Sequence, residues 1–151
     1  MENSVTTVDR AAALGRLGEA YGGVARAQRR LRGRDAMQPG RLSAPQVSLL
    51  QPLADGPMSS GALAEAVGLT AATTTHMLDQ LAVAGVVERR RDDRDRRVVI
   101  TSLTDDGRAM LALRVEQMTA AWAEALDGFE PEQLDTAAEV ILAICAFVDD
   151  L

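Results

Sequence analysis

Lysine is absent from this chain of 151 residues, and all 16 basic side chains are arginine. Aromatic residues make up only 3%, so any core must be built from Leu, Val, Ala and Met. A single cysteine, Cys145, excludes an internal disulfide framework and suits a reducing compartment. One cysteine and one histidine cannot build a His/Cys metal site of familiar spacing. The glycine-rich signatures of dinucleotide and phosphate binding are missing, as is the serine elbow of hydrolases. Carboxylates are plentiful, but no pair stands out from solvated helix faces. No enzyme activity, metal or cofactor is therefore expected. No apolar run approaches the roughly 18 residues that span a membrane. Met1–Thr6 shows no basic segment followed by an apolar one, as a secretory signal would. A cytoplasmic location without a membrane partner is expected.

What the chain does contain is unevenly placed charge. The net charge of −6 argues against nucleic acid if taken alone, but the distribution carries more information. Six arginines lie between residues 26 and 41, at Arg26, Arg29, Arg30, Arg32, Arg34 and Arg41. Six more lie in the run Arg89-Arg90-Arg91-Asp92-Asp93-Arg94-Asp95-Arg96-Arg97. The segment after Thr104 holds 11 acidic residues against Arg108 and Arg114. Genome composition would account for the exclusive use of arginine, but not for its clustering.

The arginine run sits between Val86-Val87 and Val98-Val99-Ile100-Thr101, two β-branched runs, and reads as a two-stranded hairpin with a polar tip. The helices are read from apolar spacing. Residues 8–33 carry Leu14, Leu17, Tyr21, Val24 and Leu31 at helical intervals, and Arg32-Gly33-Arg34 with Pro39-Gly40 mark a loop. Ser43 caps a second helix with Pro45 in its first turn. Pro52 ends or kinks that helix, and Asp55-Gly56-Pro57 turns the chain. Ser59 or Ser60 starts a short helix that Gly68 ends. Thr70 starts the next, which runs to Gly85. Leu63, Val67, Leu69, Met77, Leu78 and Leu81 supply a shared core. Thr104 caps a long helix, and Pro131 opens a last one to about residue 149. Helix, short turn, helix, hairpin is the winged helix-turn-helix order. The fold class is thus mainly α with a small β-hairpin wing. N- and C-terminal helices are left over for dimerisation, because the last helix is apolar on most sides.

Taken in order, these residues resemble the MarR family of bacterial transcriptional regulators over about residues 10–149. The resemblance is carried by Leu42-Ser43-Ala44-Pro45-Gln46 and Gly61-Ala62-Leu63-Ala64-Glu65. It continues through Gly85-Val86-Val87-Glu88-Arg89 and Ser102-Leu103-Thr104-Asp105-Asp106-Gly107. The family's wing pattern, Asp-x-Arg with Thr seven residues on, is met by Asp95, Arg97 and Thr104. The resemblance implies one domain over 1–151, with residues 42–104 as the DNA-binding region and 8–33 and 105–151 as dimerisation helices. It implies a homodimeric repressor of a pseudo-palindromic operator in double-stranded DNA. It also implies release by a small phenolic or lipophilic effector. Two other readings stay open: a winged-helix protein-interaction module that binds no DNA, and a small-molecule-binding helical protein.

The expected DNA-binding residues follow from that comparison. On the Thr70–Ala84 helix, Thr74, Met77, Leu78 and Leu81 form one face. The candidates on the opposite side are Ala71, Ala72, Thr73, Thr75, His76 and Gln80, accompanied by Asp79. Ala71 and Ala72 stand where relatives carry polar residues, and His76 where many carry arginine. In the wing, Arg91, Arg94, Asp95, Arg96 and Arg97 are the candidates. Asp95 and Arg97 are two apart, so on a strand both face one way, and Asp95 is expected to hold the Arg97 guanidinium. A plain solvated hairpin tip, its arginines offset by Glu88, Asp92, Asp93 and Asp95, is the alternative. The Arg26–Arg41 cluster fits either phosphate or the acidic C-terminal helices. Tyr21, Met110, Met118 and Trp122 are candidates for an effector pocket, with ordinary core packing as the alternative. Cys145, in an apolar context, is expected to be a packed thiol.

Overall fold

Short polar side chains start the helices of this chain, and glycines in left-handed geometry stop two of them. The computed structural model describes residues 9–35 and 40–149, with side chains described for 9–31 and 40–148. The chain forms two compact units, residues 1–111 and 112–151. In the first, α1 (Arg10–Asp35) begins at Asp9, whose carboxylate accepts the Ala11 N–H at 3.2 Å. The helix continues through Arg32-Gly33-Arg34, where the sequence reads as a loop. A glycine in the last turn of a helix lowers its propensity without breaking it. The side chains of Arg32 and Arg34, and residues 1–8, 36–39 and 150–151, lie outside the described residues.

Ser43 and Gln46 form a reciprocal capping box at the start of α2 (Ala44–Leu50). Gln46 N–H donates to Ser43 Oγ at 3.4 Å, and Ser43 N–H donates to Gln46 Oε1 at 2.8 Å. Pro52 has the expected effect. The α-helix stops at Leu50, and Gln51–Ala54 tightens into a 3₁₀ turn. Leu49, Leu50 and Leu53 are completely buried along this segment. Two residues, Met58–Ser59, then form β1, a strand too short to be read from sequence.

The two following helices are built alike. Ser59 Oγ accepts the Ala62 N–H at 3.1 Å to cap α3 (Ser60–Ala66). Thr70 Oγ1 accepts the Thr73 N–H at 3.2 Å to cap α4 (Ala71–Val83). Each ends in a Schellman motif on a positive-φ glycine, Gly68 at +65° and Gly85 at +72°. At the first, Leu69 N–H donates to Ala64 O at 3.0 Å and Gly68 N–H to Glu65 O at 3.2 Å. At the second, Val86 N–H donates to Leu81 O at 2.9 Å and Gly85 N–H to Ala82 O at 3.0 Å. Leu63, Leu78 and Leu81 are buried as well and, with the leucines of α2 and its 3₁₀ turn, belong to the buried apolar set of this unit. Each such side chain contributes about 1.5–3 kcal/mol on burial.

β2 (Val87–Arg91) and β3 (Val99–Leu103) pair antiparallel, from Val87 opposite Leu103 to Arg91 opposite Val99. β1 adds to the other side of β3, with Met58 opposite Thr101, so the sheet has three strands in the order β1-β3-β2. The expected wing hairpin is therefore present, with a third strand that ties its inner strand to the start of α3.

Thr104 joins this sheet to α5 (Asp105–Ala125). Its N–H donates to Val86 O at 3.1 Å, and its hydroxyl lies 2.7 Å from Gly85 O and 3.1 Å from Val86 O. The same Oγ1 accepts the Gly107 N–H at 2.9 Å. Asp105 and Asp106 occupy the first turn, where the helix dipole favours negative charge. In the second unit, α5 continues to Ala125 and α6 (Pro131–Asp149) follows, with Pro131 at its first position. Ile141, Leu142 and Phe147 of α6 are exposed, as are Leu14, Leu17 and Val24 of α1 in the first unit. Cys145 is exposed too, so its own chain does not supply the packing expected of it.

Gly107 is the tightest approach among the described glycines. A Cβ there would lie 1.9 Å from the Val86 carbonyl oxygen, a backbone atom that cannot swing away. Gly107→Ala should therefore cost about 2–3 kcal/mol of unfolding free energy. Gly61→Ala on exposed α3, where a Cβ meets nothing within 4 Å, should gain about 0.5–1 kcal/mol from propensity. Urea melts of the two variants beside the wild type check both signs.

Candidate nucleic-acid interface

Burial divides α4 into two faces. Thr74, Leu78 and Leu81 are buried and Met77 half-buried, while Ala71, Ala72, Thr73, Thr75, His76, Asp79 and Gln80 are exposed. The division agrees with the apolar spacing, because a helix anchored by Leu78 and Leu81 must turn residues 72, 75, 76 and 79 outward. The outward residues are not equally free. The Thr70 hydroxyl donates to Thr73 Oγ1 at 2.9 Å, so the Thr73 side chain also serves the N-cap. Gln80 Nε2 lies 3.3 Å from His76 Nε2 one turn back. Thr75 makes no such contact and presents hydroxyl and methyl outward.

Beyond the paired strands the wing tip is shaped by its aspartates. Asp92 N–H donates to Val98 O at 2.9 Å, extending the pairing by one step. Asp92 Oδ1 then accepts the Arg94 N–H at 2.7 Å, and Asp95 Oδ1 accepts the Arg97 N–H at 2.9 Å. Both are Asx turns, in which a short carboxylate replaces a backbone acceptor. Val98 N–H closes the second turn on Asp95 O at 2.9 Å. This corrects one expectation. Residues 92–98 are not strand, and Asp95 holds the Arg97 backbone rather than its guanidinium. One oxygen of the carboxylate is turned to the backbone, and the Arg97 side chain is exposed. Arg94 and Arg96 are exposed as well. Arg91 reaches back along the hairpin, its terminal nitrogen donating to Arg96 O at 3.3 Å.

Arg89 behaves differently from the other five arginines of the run, and the sequence reading passed over it. Its side chain is only 20% exposed. One terminal nitrogen forms an ion pair with Asp79 of α4, and the other lies 3.4 Å from Ser60 Oγ at the start of α3. The alternation of β2 held the signal. Arg89 shares a face with buried Val87 and lies opposite buried Thr101, so its side chain must turn toward the helices. On the opposite face Glu88 accepts the Ser102 hydroxyl at 3.1 Å.

Of the candidate effector residues, Tyr21 is 50% and Trp122 68% exposed, and Met110 and Met118 are half-buried. None of the four lines a cavity of about 290 Å³ in the first unit bounded by Gln28, Leu31, Ala44, Pro45, Ser48 and Leu69. Among the described residues no three His, Cys, Asp or Glu side chains are grouped so as to hold a metal ion. No described helix is long and apolar enough to cross a membrane.

The Asx turn at the tip is open to direct test. Asp95→Ala should speed hydrogen exchange at the Arg97 amide, whereas Asp95→Asn, which keeps an acceptor oxygen, should preserve its protection. Global stability should change by less than about 1 kcal/mol in either case, because the site is exposed. Exchange followed by NMR distinguishes this backbone role from a guanidinium clamp, for which Asn would behave like Ala.

Comparison with known proteins adds context to this geometry. A model of the MarR family matches residues 42–99, the stretch that includes α2 to α4 and β2. A search of curated proteins finds no match. Among solved structures, the transcriptional repressor CouR bound to a 23-mer DNA duplex is 30% identical. That similarity covers 88% of this chain and 96% of CouR, with a TM-score of 0.69. The transcriptional regulator BldR from Sulfolobus solfataricus is 27% identical over 89% of this chain and 94% of its own, with a TM-score of 0.66. A mutant MarR from E. coli complexed with operator DNA shares the fold, with a TM-score of 0.71 at 21% identity over 90% of this chain and 98% of that one.

Proposed function

We infer function from membership: the chain belongs to the MarR family, and it is a DNA-binding transcriptional regulator. The family is not one of enzymes, and no reaction is proposed. The observation that carries the detailed reading is the pairing of α4's exposed face with a wing whose tip arginines are left free by their own aspartates. CouR, the relative at 30% identity, is a repressor bound to a DNA duplex, and we extend repression of a specific operator to this chain.

In this reading α4 enters the major groove. Ala71, Ala72 and Thr73 approach the backbone closely, and Thr75, His76 and Gln80 address base edges. The two alanines remove side-chain readout at the helix start, so more of the affinity falls on the wing. Arg97 enters the minor groove, where the negative potential is strongest. Arg91, Arg94 and Arg96 neutralise phosphates, with Asp95 holding the Arg97 turn. A guanidinium presented from a turn held by hydrogen bonds loses less freedom on binding than one on a mobile loop.

The dimer follows from exposed apolar side chains on α1 and α6, Leu14, Leu17 and Val24 on the one and Ile141, Leu142 and Phe147 on the other. Such faces need cover, and a second copy of the chain supplies it with two-fold symmetry. Residues 8–33 and 105–151 are assigned to this dimerisation, and 42–104 to DNA. Two α4 helices would then meet half-sites about 34–36 Å apart, which requires a pseudo-palindromic operator. A small phenolic or lipophilic effector, met by Tyr21, Met110, Met118 or Trp122, would release the DNA by favouring a dimer whose α4 helices miss successive grooves. The protein acts in the cytoplasm, with its DNA.

Selection of bound fragments from genomic DNA tests this function. The expected outcome is an enriched imperfect palindrome, and no enrichment would overturn the reading. On the selected fragment Arg97→Ala should weaken binding by about 1–3 kcal/mol. His76→Ala should change sequence preference more than affinity for a mixed pool. The log–log dependence of affinity on salt should have a slope near −0.9 per phosphate neutralised, which counts the arginines engaged.

A further inference from the structure

Six arginines crowd the wing, and one of them is turned away from solvent. Arg89 lies in the middle of β2, and its guanidinium spans three elements: its own strand, Asp79 on α4 and Ser60 at the head of α3. Its Nε is buried without a partner, so the two terminal nitrogens carry the whole attachment. Asp79 is three residues after His76 and four after Thr75, which places it on the same exposed face of α4. The ion pair therefore sits beside the residues assigned to base edges.

We propose that Arg89 is a positioning residue that sets the angle between the wing and α4, and so makes the Arg97 contact conditional on the α4 contact. The proposal rests on the DNA-binding function above. The hairpin meets the helices at its base, where Thr104 bonds Gly85 and Val86. β1 ties the β3 edge of the hairpin to α3, but along the β2 edge the base junction is one attachment, and a single attachment lets that edge swing. Arg89 supplies a second attachment two residues farther along β2, through a planar fork with fixed geometry. Two separated attachments define an orientation. Fixing the orientation lets one rigid body reach a major and an adjacent minor groove without further loss of freedom. The pair has a second effect. Asp79 is 61% exposed, and beside phosphates an unneutralised carboxylate there would repel DNA. Arg89 cancels that charge and is thereby withdrawn from the phosphate contacts.

The test is a double-mutant cycle on the fragment selected by the wild-type dimer, with Arg89→Gln, Asp79→Ala and Arg97→Ala singly and combined. In the wild type Arg97→Ala should weaken binding roughly 5- to 150-fold. In the Arg89→Gln background the same substitution should cost less than about threefold, because a freed wing no longer delivers Arg97. Asp79→Ala removes the acceptor on α4 and leaves Arg89 with its Ser60 contact in place. It should reduce the Arg97 effect in the same direction, which keeps the test alive if Arg89→Gln folds poorly. Hydrogen exchange across β2 and β3 in the free Asp79→Ala protein should quicken while α2 and α3 stay protected. An Arg97 effect of unchanged size in both backgrounds would overturn the positioning role while leaving the DNA-binding function intact. Absence of any specific fragment for the wild type would instead overturn the DNA-binding function, and this role with it.

Discussion

The Val86 carbonyl is approached from two sides. The Thr104 N–H donates to it, and the first turn of α5 passes so closely that a Cβ at Gly107 would lie 1.9 Å away. The Thr104 hydroxyl completes the junction by lying between the Gly85 and Val86 carbonyls and accepting the Gly107 N–H. Three things end or begin within these few residues: the Schellman motif that closes α4, the sheet, and α5. Their directions are thus set by one group of short hydrogen bonds rather than by separate packing contacts. The Val86 carbonyl, on a buried residue, would cost on the order of 1–3 kcal/mol if left unpaired, which favours this one geometry at the junction. The Gly85 conformation, at a φ of +72°, belongs to the same constraint, since a side chain there would be strained in the left-handed region.

Charge is used in this chain in two ways that composition does not separate. At the wing tip, Asp92 and Asp95 bind backbone N–H groups, and the neighbouring arginines remain outward. Deeper in the hairpin, Asp79 and Arg89 neutralise each other between α4 and β2. A net charge of −6 is compatible with DNA binding for this reason. Asp79, Glu88, Asp92 and Asp95 are engaged in an ion pair, a side-chain hydrogen bond or turns, while Arg94, Arg96 and Arg97 at the wing tip are exposed. The interaction of a protein with DNA depends on this local field more than on the total charge.

Much of the fold was legible because helix boundaries are written in short-range chemistry. Ser43, Ser59, Thr70 and Thr104 are caps, and Gly68 and Gly85 are stops. Each acts within four residues of its own position, and local sequence suffices to see them. Arg32-Gly33-Arg34 misled for the same reason, since a single glycine weighs little against a helix already propagating through it. β1 escaped notice because two residues have no periodicity. They become a strand only when β3 offers an edge to pair with.

The site divides along the same line. The sequence by itself determined which face of α4 is outward, through Leu78 and Leu81, and which segment forms the wing. Periodicity and turn chemistry are local properties. Only the tertiary structure decided what the charged side chains do there. Asp95 turned from a guanidinium clamp into a backbone acceptor because the tip is a pair of Asx turns and not a strand. Arg89, one of six similar arginines in sequence, became distinct because β2 packs that face toward α4 and places its guanidinium against Asp79, ten residues earlier in the chain. Partners brought together by folding leave no spacing rule to read. The identity of a charge is local, whereas its partner depends on how the elements pack.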